Sequence, residues 1–491
     1  MIAPTPFDLR AAARRAMLDN GFNPDIPADV LAEARESALP ASVTPNGVQD
    51  LRALPWSSID NDSSRDLDQL EVAESLPDST IRVRVAIADV DFLVPLGSAT
   101  DRFAAANATS VYAGVETFPM LPEALSTDRT SLGQDDDRAS IIIEFIVAAD
   151  GAVASPSVYR ALVRNHAKLA YSSVGAWLDG NGSLPSVATP EIQSQLRLQD
   201  TAAQTLRRAR AAAGALDLET IEAQPVVHDS TVDVELVPKT RASRLIEDFM
   251  IAANVTMARF LDQRGVPSIR RVVRVPERWT RIVTLAARYG VTLPSMPDSQ
   301  ALEAFVSQRR AADPTHFADL SLSIVKLLGP GEYMLHVPGT PDPGHFGLAT
   351  HDYTHSTAPN RRYADLVIQR LLKASLASAP APYTNDALAQ IATHCTERED
   401  AARKVERQIR KEASAASMQK HVGQSFEAIV TGVNDRGTFV RLIHPPVEGR
   451  VVRGEQGMDV GDTVQVTLVG ADPAKGFIDF AGGGAGESPP R

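Results

Sequence analysis

Cysteine is almost missing from this chain of 491 residues: Cys395 stands alone, which excludes an intrachain disulfide and fits a reducing cytoplasm. Long apolar runs are missing as well. The run IIIEFIV at 141–147 falls far short of the ~20 residues that a membrane-spanning helix needs. The opening MIAPTPFDLRAAARRAMLD holds no apolar stretch before Asp8, so no secretory signal is expected. Aromatic residues make up only 5%, and positive charge is outweighed, with 49 Lys and Arg against 61 Asp and Glu, a net −12. A uniformly basic nucleic-acid binder is thereby excluded, but local basic clusters persist at Arg207, Arg208 and Arg210, at Arg270, Arg271 and Arg274, at Arg361 and Arg362, and from Arg403 to Lys411. Such clusters matter only if they converge on one groove. The remainder is ordinary for a globular protein, 44% apolar and 22% charged, long enough for about two to four domains. A cytoplasmic monomer without membrane contact is expected.

What the chain has in excess is carboxylate, in one place. Residues 59–71, IDNDSSRDLDQLE, carry Asp60, Asp62, Asp66, Asp68 and Glu71, with Arg65 as the one basic residue among them. Two such charges ~4 Å apart repel by roughly 4 kcal/mol at an effective dielectric of ~20. A fold that gathers them needs a cation, and oxygen donors suit Mg²⁺, Mn²⁺ or Ca²⁺. Three readings are open. With Asp60 as position 1, the spacing nearly fits a calcium-binding EF-hand loop, but Arg65 sits where glycine is needed and strand-like segments flank it instead of helices. A second reading is a solvated acidic loop. The third is a metal site for phosphoryl transfer, with Arg361 or Arg362 supplying charge to the phosphate.

Coarse periodicity organises the rest. Two short helices are expected in 8–36, and Pro40 and Pro45 close that segment. Between about 50 and 375 strands and helices mix: strands at 81–94 and 139–147, helices at 243–265 and 362–376. A linker at 377–384 leads into a helical stretch reaching about Lys420. Five short strand-like runs follow within 421–482, the pattern of a small closed barrel of the OB type, and the final GGGAGESPPR reads as a disordered tail.

The acidic run resembles the signature of the RNB family, the hydrolytic 3′→5′ exoribonucleases that include RNase II and RNase R. The likeness recurs in order at IADVDFLVPLGSATD (87–101), TSVYAGVETFPMLPEALSTDRTSL (109–132), RNHAKLAYSSVGAWL (164–178), LIEDFMIAAN (245–254), YTHSTAPNRRYADLVIQRLL (353–372) and KVERQ (404–408). The terminal barrel is similar to the ribosomal-protein-type OB RNA-binding domain that ends many members. The resemblance implies an α+β fold: a helical segment at 1–50, an RNB-type catalytic domain at 51–420 with a mixed sheet and surrounding helices, a five-stranded OB barrel at 421–483, and the tail at 484–491. It implies processive hydrolysis of single-stranded RNA to 5′-mononucleotides with Mg²⁺, or Mn²⁺ in its place.

Site residues carry over by position. Asp60, Asp66 and Asp68 match three of the four metal-site aspartates, and Gln69 occupies the fourth place. Arg361 matches the arginine that faces the scissile phosphate, with Arg362 beside it as an RNA contact, and Glu406 matches a helix glutamate near the leaving nucleotide. Tyr112 resembles an aromatic that stacks a base, Tyr171 a tyrosine near the 3′-terminal nucleotide, and Glu247 a carboxylate on a ribose hydroxyl. Each has a plainer reading: Glu406 pairing with Arg410 one helical turn on, the tyrosines as packing residues, the arginines as surface charges at a helix start. His351 and His355 have zinc-like spacing, but their context reads as a loop.

The departures set the alternatives. Gln69 offers a carbonyl oxygen and no charge; Ser356, Ala358, Asn360 and Val255 also differ from the family pattern. Paired cold-shock domains are not expected in the short segment before the catalytic region. A non-catalytic or weakly active RNA-binding relative therefore stands as the rival reading.

Overall fold

Alternation in IRVRVAIA makes a strand with one apolar face, Val83, Val85 and Ile87, and a second face that carries Arg82 and Arg84 before Ala86 and Ala88, and it lies at the middle of a seven-stranded sheet. The structure is a computed structural model that describes residues 7–37, 47–219, 222–228, 231–237, 239–314 and 316–482, with backbone alone for 222–228 and 231–237. Pro40, Pro45 and the tail expected at 484–491 lie outside the described residues.

Two helices, α1 (Leu9–Asp19) and α2 (Ala28–Glu36), come first, as the periodicity predicts. The sheet follows: β1 (Val48–Asp50), β2 (Ser57–Asp60), β3 (Gln69–Ser75) and β4 (Ile81–Ala88), then, after helix α3 (Ala99–Asn107) and the two-residue pair β5 (Val111–Tyr112) and β6 (Thr117–Phe118), β7 (Asp137–Val147), β8 (Val153–Arg164) and β9 (Ala167–Ala170). Its order is β1-β8-β7-β4-β3-β2-β9. Val83, Val85 and Ile87 of β4 face Phe145, Ile143 and Ile141 of β7 in register, all of them buried. Each such side chain contributes about 1.5–3 kcal/mol on burial. The strand expected to run to Val94 ends at Ala88, where the chain turns into a short 3₁₀ segment at Val90–Phe92. Asp89 sits at the turn, and its carboxylate meets Lys373 at 2.9 Å and Arg160 at 3.4 Å.

Helices α4 (Tyr171–Leu178), α5 (Pro190–Ala212) and α6 (Arg241–Gln263) cover the sheet, α5 against β3 and β4 and α6 against β2, β7 and β8. Proline at the first position and a Thr189 cap start α5, and a Thr240–Ser243 capping box starts α6. The hairpin β10 (Glu222–His228) and β11 (Thr231–Val237) lies between them in sequence. Strand β12 (Ser268–Val272), a bundle of α7 (Trp279–Arg288), α8 (Ser299–Ala312) and α9 (Phe317–Leu328), and strand β13 (Glu332–His336), which pairs with β12, lead to α10 (Tyr363–Leu376). Helix α11 (Asn385–Met418), 34 residues and so about 50 Å long, then runs from the sheet domain to the barrel.

The barrel closes as β14 (Ser425–Asn434), β15 (Gly437–Leu442), β16 (Glu448–Arg453), β18 (Phe477–Gly482) and β17 (Thr463–Asp472), with β17 returning to β14. The five strand runs expected from sequence are these five. Gly449 lies where β16 runs parallel to β18; a Cβ there would come within 2.5 Å of the Ile478 carbonyl and the Phe480 ring. Ala415 and Met418 at the end of α11 are part of the barrel core, so helix and barrel share one packed interior. Among the described residues no helix is long and apolar enough to cross a membrane.

Candidate active site

Strand β2 ends on Asp60, and the acidic run forms the connection from there to β3. Two strands flank it, so the calcium-loop reading has no structural support. The connection is pinned. Ser131 Oγ accepts the Leu67 N–H at 3.0 Å and donates to the Arg65 carbonyl at 2.8 Å, while Lys168 Nζ donates to the Ser64 carbonyl at 2.6 Å. Asp60 Oδ1 accepts from the Asn61 N–H at 2.7 Å and from Ser64 Oγ at 2.9 Å. Asp62 turns outward to Ser172 at 3.0 Å.

The remaining partners come from distant segments. Asp66 Oδ2 accepts the Tyr112 hydroxyl at 3.2 Å, and the Tyr112 backbone N–H donates to Glu406 Oε1 on α11 at 3.0 Å. Asp68 Oδ1 accepts the Asn360 N–H at 3.0 Å, and its Oδ2 stands 3.5 Å from Arg361 Nε. Six expected residues, Asp60, Asp66, Asp68, Tyr112, Arg361 and Glu406, thus belong to one constellation. Tyr171, the first residue of α4, lies within electrostatic reach of Asp60 and Glu71. Glu247 sits on α6 in an exposed ion pair with Lys239 at 3.0 Å.

Arg361 and Arg362 divide their work. The Arg361 side chain pairs with Asp68 at 3.5 Å and is still 44% exposed, so a ligand can reach it. Arg362 grips Asp365 through two bonds of 2.7 and 2.8 Å, and Asp365, fully buried, also accepts the Ala358 N–H at 2.8 Å. The sequence reading missed Asp365; its place three residues after Arg362, in the first turn of α10, is the signal that points to it. Asn254 was missed too: its Oδ1 takes the backbone N–H and hydroxyl of Ser356 at 2.8 and 2.9 Å. Together these clamps aim the arginine loop. A cavity of about 210 Å³ opens beside it, lined by Tyr112, Arg361, Arg362, Arg403 and Glu406 among others. The zinc-like histidines do not form a site: His355 Nδ1 shares a 2.7 Å bond with the Tyr333 hydroxyl, and His351 is exposed.

Burial disfavours negative charge in this region. Burial pushes the Asp68 carboxyl up to about 7, against the opposing pull of Arg361 and the Asn360 N–H. Asp60 is raised for the same reason. Glu71, completely buried, is pushed well above the usual range by burial and by nearby Asp60. A solvated loop would not behave so. The donors are all oxygens, and both Glu71 carboxylate oxygens lack a hydrogen-bond partner. That chemistry fits a hard divalent cation, although among the described residues no three acidic, His or Cys side chains already stand around one point.

Comparison with known proteins follows the same lines. The RNB domain model matches residues 48–378, from β1 past the end of α10. The chain belongs to the RNB family. A second family, the RNase II-type exonuclease C-terminal S1 domain, matches residues 424–482, the barrel. Among curated RNB relatives, Ribonuclease R 1 of Lactococcus lactis is 29% identical over 93% of this chain and 59% of its own length. Ribonuclease R of Escherichia coli is 30% identical over 82% of this chain and 51% of its own length. The chain therefore spans little more than half the length of these relatives. The apo form of Mycoplasma genitalium RNase R superposes with a TM-score of 0.87 at 22% identity, covering 96% of this chain and 78% of that one. Yeast Ssd1, described as a pseudonuclease, superposes at 0.73 and 18% identity, covering 94% of this chain and 57% of that one. The RNB fold alone thus accompanies both an RNase R and a pseudonuclease, and the site has to carry the functional argument.

Proposed function

We propose that this chain is a hydrolytic, processive 3′→5′ exoribonuclease that degrades single-stranded RNA to 5′-mononucleotides. The observation that carries this reading is the placement of Arg361, nearly half exposed and 3.5 Å from the buried Asp68 of the acidic cluster. A phosphodiester seated there meets a guanidinium on one side and cation-binding carboxylates on the other.

Asp60, Asp66, Asp68 and the Gln69 carbonyl oxygen would hold Mg²⁺, or Mn²⁺ in its place. Such an ion, when bound, lowers the pKa of a water and neutralises charge on the phosphate oxygens. The chain's own groups do the rest. Arg361 stabilises negative charge developing on the phosphate, and Arg362, locked on Asp365, fixes the loop that presents it. Tyr112 offers its ring to the terminal base while its hydroxyl orients Asp66. Glu406, through the Tyr112 N–H, ties that tyrosine to α11 near the departing nucleotide. Tyr171 and Glu247 would contact the terminal nucleotide and its ribose hydroxyl, which would favour RNA over DNA. Lys404, Arg407, Arg410 and Lys411 form an exposed basic face on α11 that leads to the barrel. On this reading the chain works as a cytoplasmic monomer, in keeping with its lone buried Cys395.

Incubation with a 5′-labelled oligoribonucleotide, with Mg²⁺ or with chelator, tests the proposal. Stepwise shortening from the 3′ end with release of 5′-mononucleotides is expected only with metal. The rival, an RNA-binding relative without activity, is favoured by the uncharged Gln69. It predicts binding and no shortening in either Mg²⁺ or Mn²⁺.

A further inference from the structure

Nine acidic residues are buried among the described ones, and eight of them have partners. Asp365 holds Arg362, Asp101 holds Arg370, Asp248 holds Arg207, Asp200 holds Arg241, and Asp89 holds Lys373. Asp68 has the Asn360 N–H, Glu303 the Asp217 N–H and Ser307 hydroxyl, and Glu412 the Gln408 amide. Glu71 has nothing: it is 0% exposed, neither carboxylate oxygen accepts a hydrogen bond, and no Lys, Arg or His among the described residues forms an ion pair with it. An isolated buried carboxylate without a partner is among the costliest arrangements a core can hold, so Glu71 either keeps its proton or is set against a counter-charge supplied from outside the chain.

Its position says which one. In β3, Gln69 lies opposite Ile87 of β4 and Glu71 opposite Val85, so the two side chains share one face of the strand, two residues apart. Gln69 is the position at which the acidic pattern loses a charge. Glu71 restores a carboxylate one step along the same face, on a side chain one methylene longer than aspartate. Its charged neighbour is Asp60, the first residue of the cluster, and Tyr171 lies within electrostatic reach of both. Ser57, directly opposite Glu71 on β2, also has a buried hydroxyl without a partner, so the strand pair presents several unused oxygens to one region.

We propose that Glu71 is the fourth carboxylate of the acidic site and holds a divalent cation jointly with Asp60, replacing the charge absent at Gln69. Without an ion, burial and the neighbouring Asp60 both disfavour a charge on Glu71. A cation bound beside both acids would offset that repulsion and favour the ionised form of each. The proposal rests on the reading of the cluster as a metal site.

Mn²⁺ binding to the full-length chain, followed by electron paramagnetic resonance and by the metal-dependent rise in Tm, tests it. Wild type is expected to bind. Glu71→Gln, which keeps shape and volume, should weaken Mn²⁺ binding by about tenfold or more and shrink the metal-dependent Tm rise. Its Tm without metal should equal or exceed that of wild type, since an uncompensated acid is gone. The double variant Gln69→Asp with Glu71→Gln should regain Mn²⁺ affinity. Should Glu71→Gln misfold, Glu71→Asp keeps the charge and should bind more weakly than wild type but measurably. Unchanged Mn²⁺ affinity in Glu71→Gln, with wild type binding, overturns the role of Glu71 alone. Absence of Mn²⁺ binding by wild type overturns the metal-site reading and this proposal with it.

Discussion

The Asp68 carboxylate and the Arg361 guanidinium, 3.5 Å apart, join the start of β3 to the loop before α10. The pair is asymmetric: Asp68 is almost wholly buried, while Arg361 is nearly half exposed. The acid is anchored by the Asn360 N–H and the base is left to reach a ligand.

Asp68→Asn should remove one charge from the cluster and keep an oxygen for the Asn360 N–H. Cleavage of a labelled oligoribonucleotide is expected to fall by about 10²-fold or more, with RNA affinity retained. Loss of RNA affinity as well would assign Asp68 a structural role.

Tyr112 separates ring from hydroxyl. Tyr112→Phe removes the 3.2 Å bond to Asp66 but keeps the ring, so RNA affinity should hold while turnover drops. Tyr112→Ala should also lose about 1–3 kcal/mol of RNA binding, the worth of a stacked base. Equal affinities for the two variants would show that the ring does not stack.

Asp365→Asn would strand Arg362 in a crowded pocket with one neutral partner. Breaking a buried pair on one side costs about 3–5 kcal/mol, so a clear fall in the urea midpoint is expected. An unchanged midpoint would mean that water reaches Arg362 and replaces the carboxylate.

His355 should make the fold acid-sensitive. Burial, followed by the charge of Arg362, pushes its pKa well below the ordinary value. Below about 6.5 the unfolded chain takes up a proton that the folded ring refuses, so its contribution to stability is lost as pH falls. Asp68, raised to about 7, acts in the opposite direction, because the folded state keeps a proton that the unfolded carboxyl releases. Comparing His355→Gln with wild type isolates the histidine: Tm should fall less between pH 7 and 5 in the variant. Parallel curves would exclude His355.

The barrel test follows from packing. Deleting it would bare Ala415 and Met418, so charge reversal is the cleaner perturbation. Arg436, Arg450 and Arg453 are exposed on the barrel, and reversing them should weaken RNA binding. The slope of log affinity against log salt should fall by roughly 0.7 for each phosphate that the barrel no longer neutralises. An unchanged slope would place the RNA elsewhere.

Much of this was readable along the chain. The helices at 9–19, 28–36 and 241–263 and the five barrel strands follow from periodicity and capping, because the patterns are local. Asp60, Asp66, Asp68, Arg361 and Glu406 were legible as a motif and do meet. The clamps were not legible. Nothing near Arg362 shows which of two adjacent arginines will be tied to Asp365, and nothing near Ser131 shows that it holds the acidic connection from below. The partners of Asp89, just past the end of β4, were equally hidden, because they lie on β8 and α10.

The residue types alone determined that the chain carries a concentrated acidic run with an uncharged Gln69 inside it, a single cysteine, and a separate small β-barrel. Charge, hydrogen-bonding capacity and period are properties of the residues themselves. Only the tertiary structure decided which acids have partners. That depends on which segments are brought beside β3, and there Asp68 receives Arg361 while Glu71, three residues later and fully buried, receives none.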